Sequence, residues 1–434
     1  MSETKTFLFM PESAYGPTNN CIGIGHRLLA RGHRVVFAAE ASWAGKLEAL
    51  GFEEDLVDLA PPPESDGSGD DGEQDAGQFW KDYIRDISPE FRKSTAEQLE
   101  TVTKPIWEAL IDGAKYCEPQ LKQIIERVQP DVIIEDNVLL FPALATAGVP
   151  YVRVVSCNPL EAPGEGIAPV FSGLAEAEAE KWPAFRDEYR RTHGEMWREF
   201  DEWVQSQGAD PLPELEFAAP GDLNIYVYPE ELDYTEARPL DASWQRVDSS
   251  VRQIEAAAES PLPASFTDGS RPLVYFSLGS LGSADVSLMR SVIAVLATMP
   301  INVIVSKGPL HDEIELADNM WGAEFLPQTT LLPLADLVIT HGGNNTVTEA
   351  MHFGKPMVLL PLFWDQYDNA QRVHERGFGR RLSTYGFTPE DLSGAVNELL
   401  ADTGLRDRMR RIGESIRERD GLNRAADLIE GAAA

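Results

Sequence analysis

The stretch from Asp336 to Asn369 constrains this chain more than any other. It reads as a short buried strand (336–340), a glycine turn His341-Gly-Gly-Asn-Asn-Thr346, an amphipathic helix, a second apolar strand, and a polar loop holding Trp364-Asp-Gln366. A strand–helix–strand unit of this length requires a crossover and therefore a parallel sheet. The turn gathers free backbone N–H groups from Gly343 to Thr346 at a helix N-terminus, where aligned peptide dipoles favour an anion. His341, Asn345 and Thr346 add side-chain donors suited to a diphosphate. Glu349, nearly one helical turn beyond Thr346, shares that face and suits a ribose diol. Asp365 and Gln366 follow the next strand and face the same crevice, as an acceptor and an amide suited to sugar hydroxyls.

The same grammar recurs along the chain. Thr6–Met10 is an apolar run; a loop over 12–20 carries Glu12, Tyr15, Pro17 and Asn19; a helix spans about Asn20 to Arg31, and a strand follows His33. A helix is expected over Ser42–Leu50. Residues 61–78 are acidic and turn-forming and read as a mobile loop. Pro130–Asp136 is a buried strand ending on a carboxylate, Tyr151–Ser156 another strand, 160–207 a helical and aromatic layer, and Leu223–Tyr228 a further strand. Residues 229–271 are irregular and proline-bearing. Pro272 then opens a second series, with a strand running into Phe276-Ser-Leu-Gly-Ser280. The pair Gly23 and Gly25 imitates part of a dinucleotide fingerprint, but it sits inside the predicted helix and Leu28 holds the third glycine position.

At 434 residues the chain is too long for one ordinary core. The pattern predicts an α/β protein of two doubly wound, Rossmann-like domains facing across a cleft. The expected divisions are 1–228, a linker at 229–271, 272–410, and a C-terminal helix in 411–434 packing back toward the first domain. Asp and Glu number 71 against 37 Lys and Arg, a net charge of −34, which opposes nucleic acid and anionic membranes as partners. A phosphate-bearing ligand must then be held by local dipoles against the global field. No apolar run approaches the roughly 18 residues that span a bilayer, and the first residues read as a strand rather than a secretory signal. Cys21, Cys117 and Cys157 are widely spaced and suggest neither disulfides nor a zinc site, as expected of a reducing cytoplasm.

Phe325-Leu-Pro-Gln328, then Thr340-His-Gly-Gly-Asn-Asn-Thr-Val-Thr-Glu349, then Pro361-Leu-Phe-Trp-Asp-Gln366 resemble the donor signature of the family 1 glycosyltransferases. Leu28–Val35, Pro130–Asp136 and Phe276–Ser280 are similar to that family more loosely. The resemblance implies the GT-B fold and metal-independent, inverting transfer of a hexose, glucose from UDP-glucose first, to a hydroxyl of a hydrophobic small molecule such as a macrolide-type natural product. No cofactor is implied beyond the nucleotide sugar, and the protein would be a monomer or homodimer. Phe325 would stack on the uracil and Gln328 sit by the nucleoside. Ser280, His341, Asn345 and Thr346 would hold the diphosphate, Glu349 the ribose, and Asp365 with Gln366 the hexose. A TDP-deoxysugar transferase and a non-catalytic auxiliary protein are the alternatives.

The family's usual base is a histidine after the first strand, oriented by an aspartate. Counting back from Arg31-Gly-His33, Pro17 occupies that position. Asp136 matches the aspartate and is the first candidate for the base, since desolvation raises a carboxylate's basicity. Glu12 is the second and His26 a distant third, nine residues beyond Pro17 and about 13 Å along a helix. His193 is expected to be exposed, and His311, His352 and His374 to be surface or packing residues. The acceptor side is expected to comprise the loop with Tyr15, Pro17 and Asn19, the acidic loop 61–80, the vicinity of Asp136, and the aromatic segment 160–203.

Overall fold

The computed structural model describes residues 4–61, 85–252 and 262–433. Nearly all of the acidic loop expected at 61–80 lies outside them. Two wholly parallel sheets organise the described chain. The first contains β1 (Thr6–Pro11), β2 (Arg34–Phe37), β3 (Glu53–Glu54), β4 (Val132–Asp136), β5 (Tyr151–Val155), β6 (Leu223–Val227) and β7 (Trp244–Val247). Its order is β3-β2-β1-β4-β5-β6-β7. The second contains β8 (Leu273–Ser277), β9 (Asn302–Ser306), β10 (Met320–Ala323), β11 (Leu337–Thr340), β12 (Met357–Leu359) and β13 (Gly379–Arg381), ordered β10-β9-β8-β11-β12-β13. Central strands such as β4, β5 and β8 are buried at every residue. Helices on both faces exclude water, which is why their sequences run continuously apolar instead of alternating.

Both sheets reverse direction of winding at one pair of neighbours, β1 with β4 and β8 with β11. The register pairs Pro11 with Asp136 in the first sheet and Ser277 with Thr340 in the second. Ligands bind outside the carboxyl ends of strands at such switch points, because the following loops diverge there and leave a crevice. The residues just after these pairs are Glu12 and Asn137 on one side, and Leu278 and His341 on the other.

Several local expectations change. The first helix runs Tyr15–Ala30, five residues earlier than predicted. Pro17 therefore lies in its first turn, where a missing N–H costs no intrahelical bond. Residues 42–50 hold two short 3₁₀ turns, Ala41–Trp43 and Glu48–Leu50, in place of one helix. Within 160–207 the long helix is confined to Trp182–Ser206, and residues 162–175 are irregular. The stretch 229–271 contains β7, which pairs with β6 and is the last strand of the first sheet. Its short length and flanking turn residues hid it from a pattern argument. β10 ends at Ala323, which leaves Phe325 on a loop.

The chain returns to the first domain at its end. The Thr403–Arg419 helix buries Met409 and Ile416 in the core of the second sheet. Asp420 then takes a left-handed conformation (φ 46°), and Gly421–Ala432 forms the last helix. Leu422, Ala425, Ala426 and Ile429 join Phe7, Cys21, Ile24 and Val247 in one apolar cluster of the first domain. A side chain at Gly421 would meet the Ser249 carbonyl oxygen at 2.3 Å, so the two strands of chain that cross between domains touch backbone to backbone. Ile429 is fully buried against the first helix and sheet. Ile429→Ala is expected to lower unfolding free energy by about 2–4 kcal/mol, the usual cost of such a cavity, measured by urea denaturation.

Candidate active site between the two sheets

A cleft of about 880 Å³ lies between the carboxyl ends of the two sheets, near the top of the range for ligand pockets. Its second-domain wall begins where β11 gives way to the Asn344–His352 helix. Gly343 is the helix cap, so no side chain occupies the first free N–H groups, and Gly343, Asn345 and Thr346 line the cleft. The His341 ring is clamped between two glycines. A Cβ at Gly279 would lie 2.7 Å from its Cε1, and one at Gly343 would lie 2.5 Å from its Nε2. Enclosure pushes the His341 pKa down to about 4, so at neutral pH the imidazole is an uncharged donor. Ser280, on the turn Gly279–Gly282, faces the same space.

Glu349 is fixed one turn along that helix. Its Oε2 accepts from Gln328 Nε2 (2.6 Å), and its Oε1 accepts from Asn345 Nδ2 (3.2 Å) and pairs with Arg252 (3.5 Å). Gln328 also accepts from the Tyr275 hydroxyl (3.2 Å). Sequence reasoning missed Arg252, which stands in the segment read as irregular. Phe325 is 48% exposed at the cleft mouth, its ring 6.2 Å from that of Tyr15 in the first domain. Tyr15 in turn packs edge-on to Trp43 (5.3 Å).

The loop after β12 is held by two aromatic insertions into the first domain. Phe363 stacks on Phe91 (4.9 Å), and Trp364, at φ 58°, packs against Phe171 (4.4 Å) and Trp107 (5.1 Å). A left-handed tryptophan costs on the order of 1 kcal/mol, which these contacts offset. Asp365 Oδ2 accepts from the Asn158 backbone N–H (2.9 Å) and from Asn369 Nδ2 (3.2 Å). Gln366 uses its carbonyl oxygen on the Leu362 N–H (3.0 Å), which leaves its amide N–H groups for a ligand. Asp365 and Gln366 both line the cleft.

On the opposite wall the Glu12 N–H donates to the Asp136 carbonyl oxygen (2.8 Å), continuing the β1–β4 pairing. Each Glu12 carboxylate oxygen already accepts one hydrogen bond, one from Ser13 Oγ (3.2 Å) and one from the Ala14 N–H (3.0 Å) at the start of the first helix. Asp136 is 2% exposed and accepts at Oδ2 from Ser156 Oγ and Cys21 Sγ. Its Oδ1 has no hydrogen-bond partner among the described residues. Desolvation first, then the charges of Glu161 and Glu12, hold its pKa well above the usual carboxylate range. Asn20 steadies Ser156 through Nδ2 (2.7 Å). Tyr15, Pro17 and Asn19 line this wall, as do Ile106, Leu110 and Val138.

His341 is the only histidine among the cleft-lining residues. His26, the third candidate base, is directed elsewhere: its Nε2 lies 3.2 Å from the Leu50 carbonyl and its ring meets Phe52 edge-on. The half turn that separates it from Pro17 places it on the outer side of the helix. His193 is fully buried rather than exposed, stacked on Tyr189 at 4.2 Å with Nδ1 2.6 Å from Thr192 Oγ1. His352 contacts Ser249 Oγ (2.8 Å), His33 pairs with Glu430 (2.6 Å), and His374 is exposed.

The interdomain seam holds two protonatable carboxyls. Burial raises Asp365 to about 7 and Asp368, which accepts from the Phe171 and Gly173 N–H groups, to about 8. A carboxyl with a raised folded-state pKa retains its proton in the fold at pH values where the unfolded chain has released it. Stability is then fully present below about pH 4 and is lost as pH rises through 7 to 8, by up to about 1.4 kcal/mol per unit per group. Thermal unfolding is expected to fall in midpoint between pH 5.5 and 8.5, and Asp368→Asn to flatten that slope.

Residues 246–420 match the family described as UDP-glucoronosyl and UDP-glucosyl transferase. The chain is 26% identical to NDP-glycosyltransferase YjiC of Bacillus subtilis (strain 168), over 96% of this chain and 94% of that protein. It is also 26% identical to demethyllactenocin mycarosyltransferase of Streptomyces fradiae, over 98% and 85%. In structure it resembles the glycotransferase of kitacinnamycin, with a TM-score of 0.73, 23% identity, and full coverage of both chains. With the signature residues, the strand order and the cleft in agreement, the chain carries a family 1 glycosyltransferase domain over residues 246–420 and has the fold of the GT-B glycosyltransferases.

Proposed function

We propose that the protein transfers glucose from UDP-glucose, with inversion and without a metal, to a hydroxyl of a hydrophobic natural product. The observation that carries this reading is the pairing across one cleft of an uncapped helix N-terminus, with His341 beside it, and a desolvated carboxylate, Asp136, with Oδ1 free. The diphosphate lies at Gly343–Thr346 with Ser280 and His341, the ribose at Glu349, and the base between Phe325 and Gln328. Asp365 Oδ1 and the Gln366 amide offer an acceptor and a donor to the hexose. Apolar side chains at Ile106, Leu110 and Val138 supply a wall for a hydrophobic acceptor. The name of the Streptomyces fradiae relative, which describes a transferase acting on demethyllactenocin, supports that acceptor class.

In the reaction, the acceptor oxygen attacks the anomeric carbon from the face opposite the leaving group. Its proton passes to Asp136 Oδ1 as the new C–O bond forms. The bond from the anomeric carbon to the diphosphate breaks, and UDP carries the electron pair away. Charge growing on the β-phosphate is met by the helix N–H groups and by neutral His341, donors already in place before reaction. Asp136 is favoured over Glu12 as base because both Glu12 oxygens serve the start of the first helix. Desolvation raises the pKa of Asp136, the direction that makes a carboxylate a stronger base, and it raises Glu12 as well, so the hydrogen bonding and not the pKa separates the two.

UDP release from UDP-glucose over a panel of hydroxylated acceptors, with products identified by mass spectrometry, tests the reading. Asp136→Asn is expected to lower kcat by at least about 100-fold while UDP affinity stays within about twofold. Tight UDP binding with no release over the whole panel would establish an auxiliary protein instead. Preferential consumption of a TDP-sugar in competition would replace the donor. An active Asp136→Asn variant alongside an inactive Glu12→Gln would move the base to Glu12.

A further inference from the structure

Asn369 closes the signature stretch and has no place in the reaction described above. It does not line the cleft, yet it is fully buried and all of its side-chain polar groups are engaged. One amide contact goes to the Gly342 carbonyl oxygen (3.0 Å), in the turn between His341 and the helix cap. A second goes to Asp365 Oδ2 (3.2 Å). Its own Oδ1 accepts from Asn158 Nδ2 (2.8 Å), a residue of the first domain. Asn158 is likewise fully buried, and its backbone N–H supplies the other bond to Asp365 Oδ2 (2.9 Å). The Asn158 Oδ1 takes the Leu160 N–H (2.9 Å) and so fixes the turn that presents that backbone donor.

Asp365 Oδ2 is thus gripped by one donor from each domain, and the donor from its own domain is also tied to the diphosphate turn. Oδ1, with no hydrogen-bond partner among the described residues, is the oxygen left for a ligand. We propose that Asn369 and Asn158 are paired positioning residues that set the Asp365 carboxylate against the diphosphate turn, so that hexose recognition is complete only when the two domains are closed. This rests on the assignment of Asp365 to the hexose made above. In an open arrangement Asp365 loses the Asn158 N–H, and Asn369 loses the donor to its Oδ1. The carboxylate is then free to turn to water, and a hexose meets an unfixed acceptor. A domain-bridging bond made through the sugar-reading side chain itself couples closure to the identity of the sugar, whereas a bond elsewhere on the seam would couple it only to the presence of nucleotide.

The test compares binding of UDP, UDP-glucose and the ring-hydroxyl epimer UDP-galactose by calorimetry, in the wild type and in Asn158→Asp, Asn369→Asp and Asp365→Asn. Asn158→Asp keeps the backbone donor to Asp365 and the acceptor for the Leu160 N–H, and loses the Nδ2 donor to Asn369 Oδ1 together with its contacts to the Tyr228 (3.2 Å) and Tyr234 (3.4 Å) hydroxyls, which can donate to the new carboxylate instead; being nearly isosteric, it carries the test even where Asn369→Asp fails to fold. Asn158→Asp and Asn369→Asp are expected to lose at least about fivefold of the UDP-glucose preference over UDP-galactose, as Asp365→Asn does, with UDP affinity within about twofold of wild type. If Asp365→Asn loses the preference while Asn158→Asp retains it, the positioning role is overturned and the hexose assignment stands. If Asn158→Asp weakens UDP as much as UDP-glucose, the pair acts on closure alone and the proposal also fails. A wild type without sugar preference, or an Asp365→Asn variant that keeps it, overturns the hexose assignment and this proposal with it.

Discussion

Everything at this site follows from the carboxyl-end crevice of a doubly wound parallel sheet, used twice. At β1/β4 and β8/β11 the chain leaves adjacent strands toward opposite faces, and no helix can fill the gap between the departing loops. Polar residues placed immediately after these strands are held by strand register to within one residue, without any loop having to be rigid on its own. Pro11 beside Asp136 and Ser277 beside Thr340 are the two registers that fix the first-domain and second-domain walls of the cleft.

Two such crevices make one site only if the domains hold together, and the seam does so through polar contacts as well as a shared apolar cluster. Asn344 Nδ2 reaches the carbonyl oxygens of Ser156 (2.7 Å) and Val227 (3.1 Å), near the ends of β5 and β6. Asp368 takes two backbone N–H groups, and Arg372 donates from Nε to the Leu232 carbonyl oxygen (2.7 Å) with its guanidinium over Tyr234. Directional bonds of this kind fix one relative placement, which a purely apolar seam of the same area would not. They also separate and re-form with less exposed apolar surface than a hydrophobic interface. The aromatic insertions of Phe363 and Trp364 and the returning C-terminal helix add the apolar part.

The charge of the protein sharpens the role of local geometry. With a formal net charge of −34, the long-range field opposes a diphosphate. The proposed diphosphate site offers aligned N–H groups and a neutral imidazole rather than a cluster of cations, and Arg252 is directed at Glu349. Short-range dipoles survive salt screening and an adverse net charge because they act at contact distance. The same enclosure that makes them effective raises the carboxyls of Asp136, Asp365 and Asp368.

Much of the second-domain wall was legible in the sequence because it is local. His341 to Glu349 are contiguous on one turn and helix, so spacing alone gives the shared face, and two glycines at 342 and 343 announce the tight turn. The start of the first helix and the strand β7 were misread because Pro17 suits a first helical turn as well as a loop, and a four-residue strand flanked by turn formers has no period to detect. His193 looked exposed because helix periodicity records one face, while the helical stretch 95–128 that packs on its helix is distant in sequence. By itself the sequence determined the parallel α/β class, the two-domain organisation and the glycine turn that opens the Asn344–His352 helix, since these depend on patterns within a few tens of residues. Only the tertiary structure decided that Asp136 Oδ2 is taken by Ser156 and Cys21, that Arg252 meets Glu349, and that Asn158 and Asn369 grip Asp365. The partners of Asp136, the Arg252 contact and the Asn158 bond each join residues far apart in the chain, which packing alone brings within hydrogen-bond reach.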